Sequence, residues 1–159
     1  MIKTAIFQSP LGNILLRADS NYLLEVDFTQ SQKTSCHLNP ILKESILQLE
    51  YYFKGKLFSF SLPLKINNYS TFEQKVFCAL QKIPYGATKS YKEIAQIIMH
   101  PKSYRAVGNA NAKNPYPIII PCHRVIKTNG NIGGYNGEDS HFIKESLIAM
   151  EKKFLRKFL

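Results

Sequence analysis

The apolar period of this chain changes once, in the polar stretch between Ile66 and Ser70. Ahead of it, "TAIFQS", "NILLRA" and "LLEVDF" read as short strands parted by the turn residues of "PLGN" and "DSNY". They predict two hairpins of a small antiparallel sheet. Asn39 and Pro40 open a helix over "NPILKESILQLEYYFKG" that stops at Gly55, with Leu42, Ile46, Leu49 and Phe53 on one face. "FSFSLPL" then alternates Phe58, Phe60 and Leu62, which predicts a further strand with one buried face. Beyond the boundary the spacing becomes helical. Ser70-Thr71-Phe72-Glu73 is a capping box, and Phe72, Val76, Leu80 and Ile83 form one stripe behind it. Ser90-Tyr91-Lys92-Glu93 is a second capping box, opening a helix over residues 90–99. Ser103 can cap a third helix that ends at "KNP", and the short loop between these two helices has helix-turn-helix spacing. The expected fold is α/β: residues 1–68 a small sheet with a helix, residues 69–159 a helical domain with a helix-turn-helix pair.

Charge divides along the same line. Residues 1–70 carry seven basic and five acidic side chains, net +2, and residues 71–159 carry fourteen and six, net +8. An excess confined to one half suits a partner of dense negative charge, most simply nucleic acid. The three cysteines, Cys36, Cys78 and Cys122, are odd in number and form no C-x-x-C pair. No charged start leads into an apolar run like a signal peptide, and no apolar stretch nears the ~20 residues of a membrane span. Reduced thiols in an intracellular protein are therefore expected, cytoplasmic or nuclear. Cys36 and His37 are adjacent, but no second pair sits at ligand spacing, so no metal site is expected.

The third helix, "YRAVGNANA", is stripped to small residues after Tyr104 and Arg105. Such a helix can bring its backbone close to another helix, or to a narrow groove of DNA into which one arginine inserts. The stretch "IIIPCHRVI" that follows sets Cys122 beside His123. A thiol is strongly nucleophilic only as thiolate, and a free cysteine is mostly protonated at neutral pH. Neighbours in an extended segment face opposite ways, so cooperation of Cys122 with His123 needs a turn or a bridging water. A histidine acting as base also needs a carboxylate on its other nitrogen. Glu138, Asp139, Glu145 and Glu151 are the candidates.

"IPYGATKSYKEIA", "RAVGNANAKNPYPIIIPCHRVI" and "GNIGGY" together resemble the O6-alkylguanine-DNA alkyltransferases, and the resemblance covers nearly the whole chain. "SPLGNILLRADSNYLLEVDF" is similar to that family's N-terminal hairpins, which implies a ribonuclease-H-like first domain. The implied function is repair of O6-alkylguanine in duplex DNA, and possibly O4-alkylthymine. The nucleotide is flipped out, the alkyl group moves onto a cysteine of the protein, and each molecule acts once. The resemblance implies no cofactor, no membrane, no obligate protein partner and a monomer.

Residue by residue, the resemblance makes Cys122 the alkyl acceptor, His123 a base acting through water, and Glu151 the carboxylate orienting it. Asn114 joins the recognition helix to the cysteine loop. Tyr91 crowds the flipped nucleotide's phosphate and donates to the guanine ring. Arg105 fills the gap in the base stack, Ala106, Gly108 and Ala110 face the minor groove, and Ser103 binds DNA beside them. Val125 and Tyr135 are pocket walls, and Asn136 presents a backbone N–H to the guanine O6. Arg124 reads as structural, pairing with a carboxylate, and Cys36 and Cys78 as passive thiols. The chain departs from the family after Tyr135, where "NGEDSHFIK" is longer and more charged than the usual Gly-Gly-Leu run, and in "MHPKS", which lacks a glycine often found at that helix end. The rival readings are a non-catalytic alkylated-DNA recognition protein, a helix-turn-helix regulator and a Cys-His-Glu hydrolase.

Overall fold

The computed structural model describes residues 1–35, 37–133 and 140–158. It forms two compact units, Met1–Ile66 and Asn67–Leu159.

In the first unit, β1 (Lys3–Ser9), β2 (Gly12–Ala18) and β3 (Leu23–Phe28) form an antiparallel meander in that order. Pairing runs from Ser9↔Gly12 to Lys3↔Ala18 across the first turn. The second turn is fixed by Asp19, whose carboxylate accepts the N–H groups of Asn21 and Tyr22 at 2.7 Å each. Ala5, Ile14, Leu16, Leu23 and Val26 are buried, and the buried side of α1 (Pro40–Phe53) supplies Leu42, Leu49, Tyr52 and Phe53. Asn39 caps α1 through Leu42 N–H, and Pro40 takes the first turn, where no N–H is needed. Phe7 stacks on Phe53 with ring centroids 6.0 Å apart.

The strand expected over "FSFSLPL" does not form. Phe58 is exposed, and Phe60 and Leu62 are only half-buried. Alternation alone cannot make a strand without a ladder partner. Instead Ser61 N–H donates to the Gln48 side chain (3.0 Å), and Leu23 N–H donates to Pro63 C=O (2.8 Å) beside a lone bridge between Leu23 and Leu64.

The second unit is helical apart from one short ladder. Its elements are α2 (Thr71–Gln81), β4 (Lys89–Ser90), α3 (Tyr91–Ile97), α4 (Tyr104–Ala112), a 3-10 turn (Cys122–Arg124), β5 (Val125–Ile126) and α5 (Ser140–Arg156). Both expected capping boxes are complete: Ser70 with Glu73 on α2, and Ser90 with Glu93 on α3. Ser103 does sit at the N-cap of α4, but its side chain makes no cap bond. Val76, Phe77, Ala79, Leu80 and Ile83 are buried, while Phe72 stays half-buried with its ring edge-on to His100 at 5.6 Å.

α3 ends without glycine. Met99 itself takes φ +65°, Met99 N–H reaches Gln96 C=O at 3.0 Å, and His100 N–H reaches Ala95 C=O at 2.8 Å. That bond pattern is the left-handed helix stop usually built on glycine. The turn into α4 is thus made by a methionine in glycine's conformation. Among the described residues no helix is long and apolar enough to cross a membrane.

Candidate active site

The segment from Tyr116 to Val125 is buried throughout. Two asparagines hold it to the end of α4. Asn114 Nδ2 donates to Ile120 C=O (2.7 Å) while its Oδ1 accepts Tyr116 N–H (2.9 Å). Asn111 Nδ2 reaches Cys122 C=O at 3.4 Å. Ile118 takes φ +76°, a conformation that costs a β-branched residue ~1–2 kcal/mol. The loop is therefore bent against local preference and held by its surroundings. Cys122 N–H then bonds Ile120 C=O (2.7 Å), and the chain turns through Cys122, His123 and Arg124. This turn is what an extended Cys-His pair lacked.

β5 leaves the turn and pairs in parallel with β4, Lys89↔Val125 and Ser90↔Ile126. Ser90 is also the N-cap of α3. The two-residue ladder thereby sets Tyr91, the first residue of α3, beside the cysteine loop. Tyr91 is half-buried, and its hydroxyl is raised above the usual range, first by burial and then by the nearby Cys122. Val125 is fully buried.

His123 and Arg124 both reach Glu151 on α5. His123 Nε2 lies 2.6 Å from Glu151 Oε2. Arg124 Nε donates to Oε1 at 2.8 Å and Nη2 to Oε2 at 3.0 Å, while Nη1 donates to Ile83 C=O at 2.7 Å. Gly86 N–H adds a bond to Oε1 at 3.1 Å. Burial acts to raise the Glu151 carboxyl, but the bonds from His123 and Arg124 outweigh it and hold the group well below the carboxylate range. Burial keeps His123 below its ordinary value, with Glu151 opposing. An ionised carboxylate only accepts, so His123 Nε2 carries the proton and Nδ1 presents a lone pair. Nδ1 is buried and has no protein partner among the described residues.

Burial pushes the Cys122 thiol up to about 11, against the Asn114 side chain and then Lys144, which both favour thiolate. Lys144, fully buried on α5, is lowered to about 8 by that burial, and Cys122 opposes the shift. Its Nζ lies 5.7 Å over the Tyr91 ring. The resting site thus holds a neutral thiol, a neutral imidazole one residue on, and a buried lysine that favours the thiolate.

Of the expected residues, the structure brings Cys122, His123, Glu151, Asn114, Tyr91 and Val125 together. Among the four carboxylates weighed, Glu151 meets the histidine and Glu145 is exposed. Glu138, Asp139, Tyr135, Asn136 and Cys36 lie outside the described residues. On α4, Arg105 and Ala106 are exposed, and Ser103 and Gly108 half-buried. Ala110 is a correction: it is 3% exposed and cannot face a groove. Helical spacing places it with Val107 and Asn111 on the inward side. Cys78 is exposed. Lys144, Asn111 and Gly86 went unread as site residues. Lys144 could have been found, because it shares one helical stripe with apolar Leu147 and Ile148 and with Glu151.

Fold and site together define a class: an α/β unit joined to a helical unit whose helix pair leads into a buried cysteine with a carboxylate-bound histidine. The model of the 6-O-methylguanine DNA methyltransferase ribonuclease-like domain matches residues 2–66, and that of the same family's DNA binding domain matches residues 71–153. The chain belongs to the 6-O-methylguanine DNA methyltransferase family. It is 44% identical over 158 residues to the methylated-DNA–protein-cysteine methyltransferase of Methanosarcina barkeri, covering 95% of this chain and 98% of that one. It is 38% identical over 154 residues to the constitutive enzyme of Bacillus subtilis, covering 91% and 92%. Among solved structures, Mycobacterium tuberculosis O6-methylguanine methyltransferase superposes with a TM-score of 0.85 at 34% identity over 100% of both chains. The M. tuberculosis protein in complex with DNA gives 0.83 at 37% identity over 95% and 93%.

Proposed function

We propose that this protein repairs O6-alkylguanine in DNA by moving the alkyl group, methyl above all, onto Cys122 in a single irreversible event. The observation that carries the reading is the buried Cys122, with a histidine oriented by Glu151 one residue on, in a chain of this family.

The thiol is neutral at rest, so its proton leaves as the reaction begins. His123 Nδ1 accepts that proton through a bridging water, and the imidazolium is stabilised by Glu151 at 2.6 Å. The Cys122 Sγ–carbon bond forms as the carbon–O6 bond breaks. Guanine leaves with the electron pair and takes a proton, supplied through Tyr91 and solvent, so the thiol proton is balanced by the one restored to the base. The thioether has no good leaving group, which limits each molecule to one turnover.

The base reaches a buried thiol only by leaving the duplex. Exposed Arg105 fills the vacated stack, while Ala106 and Gly108 let α4 approach the minor groove. Buried Val125 borders the base. The net +8 of residues 71–159 supplies salt-dependent attraction to phosphates.

The deciding experiment is intact-protein mass spectrometry after mixing with duplex DNA carrying one O6-methylguanine. One methyl group gained stoichiometrically on the Cys122 peptide, and lost in Cys122→Ala, supports the reading. Binding without any mass change would make the protein a damage-recognition protein instead.

A further inference from the structure

We propose that the tight turn at Gly86 is a positioning element for proton transfer at Cys122, a role that rests on the transfer reaction proposed above. Glu151 has to present Oε2 to His123 while both its oxygens are gripped by Arg124. The bond that fixes the remaining side of Oε1 comes from Gly86 N–H, 65 residues away in sequence, at 3.1 Å.

Backbone and neighbour both favour a residue without a side chain there. Gly86 has φ +81°, and a Cβ built there would stand 2.6 Å from Leu155 Cδ2 and 3.3 Å from Leu155 Cβ. Leu155 lies one helical turn beyond Glu151 on α5. A side chain at 86 therefore pushes the turn away from the carboxylate it serves. The turn is fixed on its other side as well. Ala87 N–H closes on Pro84 C=O at 3.0 Å, Arg124 Nη1 holds Ile83 C=O, and the Arg124 guanidinium lies 5.6 Å over the Tyr85 ring. The chain then passes directly through β4 into Tyr91. One turn thus ties the carboxylate behind the base to the tyrosine at the substrate.

The test compares the wild type, Gly86→Ala, Leu155→Ala and the double variant. In Gly86→Ala, single-turnover methyl transfer falls about 10-fold or more while DNA affinity holds, because a misplaced catalytic group is costly in rate. The pH–rate profile shifts with it, since the His123–Glu151 bond has changed. The proton NMR signal of the His123 Nε2–H on Glu151 moves in the same variant. In the double variant the Cδ2 atom that stands 2.6 Å from the new Cβ is gone, while the positive φ and the Cβ contact at 3.3 Å stay, so relief is partial. Rate and NMR signal then return toward wild type although the double variant melts lower than Gly86→Ala. A purely structural role makes rate follow stability, so a double variant that recovers neither rate nor signal relative to Gly86→Ala overturns the proposal. So does a Gly86→Ala variant with unchanged rate, pH profile and signal. If the wild type gains no methyl group, the repair reading fails, and the NMR comparison alone still decides whether Gly86 positions the pair.

Discussion

Arg124 grips Glu151 at both carboxylate oxygens, 2.8 and 3.0 Å, while its third nitrogen holds the carbonyl of Ile83. A planar fork makes those bonds at once; an ammonium cannot. Arg124→Lys keeps the charge and loses the geometry. It should lower unfolding free energy by about 1–3 kcal/mol and slow methyl transfer. Urea unfolding and single-turnover mass spectrometry measure the two effects. An Arg124→Lys protein of wild-type rate would remove the arginine from the positioning of the histidine.

Acid should weaken the fold in two stages. His123 is held below its ordinary 6.5 in the folded state, so the unfolded chain binds more protons below that value and stability falls as pH drops through it. Glu151 is held below its ordinary 4.5, so its stabilisation is present above that pH and is lost as pH falls further. Both signs agree. Urea midpoints measured from pH 7.5 to pH 4 should decline, with the second limb absent in Glu151→Gln. That variant also leaves Arg124 buried without its anion, at a cost of about 3–5 kcal/mol.

Lys144 is the cation nearest to the thiol's chemistry. Cys122 titrates at about 11, raised by burial and restrained by Asn114 and Lys144. In Lys144→Met the thiol should titrate higher still, and alkylation by a small neutral alkyl halide at fixed pH should slow. Thiolate absorbance against pH, with Cys36 and Cys78 replaced by serine, reads the shift. An unmoved or lowered titration would show that Lys144 does not favour the thiolate.

Met99 offers a gain rather than a loss. It is 85% exposed and takes a left-handed conformation at the end of α3. Met99→Gly removes the strain with little burial at stake, and should raise stability by about 0.5–1 kcal/mol. Thermal melts decide it, and a lower melting temperature would mean that the methionine side chain contributes more than its strained backbone costs.

Arg105→Ala should separate flipping from chemistry. Transfer from duplex DNA should fall about 10-fold or more, because unstacking is left uncompensated. Reaction with free O6-methylguanine base should be unchanged, since no stack is opened. Equal losses on both substrates would place Arg105 in the chemistry or the fold instead.

Local signals read well from this sequence and long-range ones did not. Ser70 and Ser90 cap their helices through bonds three residues long, so two short patterns sufficed. Asn39 and Pro40 worked for the same reason. "FSFSLPL" misled because a period of two is necessary for a strand but a ladder partner is not visible in one segment. Ala110 was misplaced because smallness says nothing about direction, whereas its spacing from Val107 does. The capping role of Ser103 failed on geometry: its ψ of 26° is not the extended value that aims a cap side chain at the helix. The target of Gly86 on α5 was not legible, because nothing near residue 86 announces a carboxylate 65 positions on.

That distance has a consequence for the protein's own synthesis. Until α5 is added, the chain holds the cysteine and histidine without the carboxylate that orients the histidine. A chain at that stage carries a thiol unaided by its base. Glu151 closes the circuit only when α5 packs against the cysteine turn, so the fold, and not the local sequence, arms the reagent.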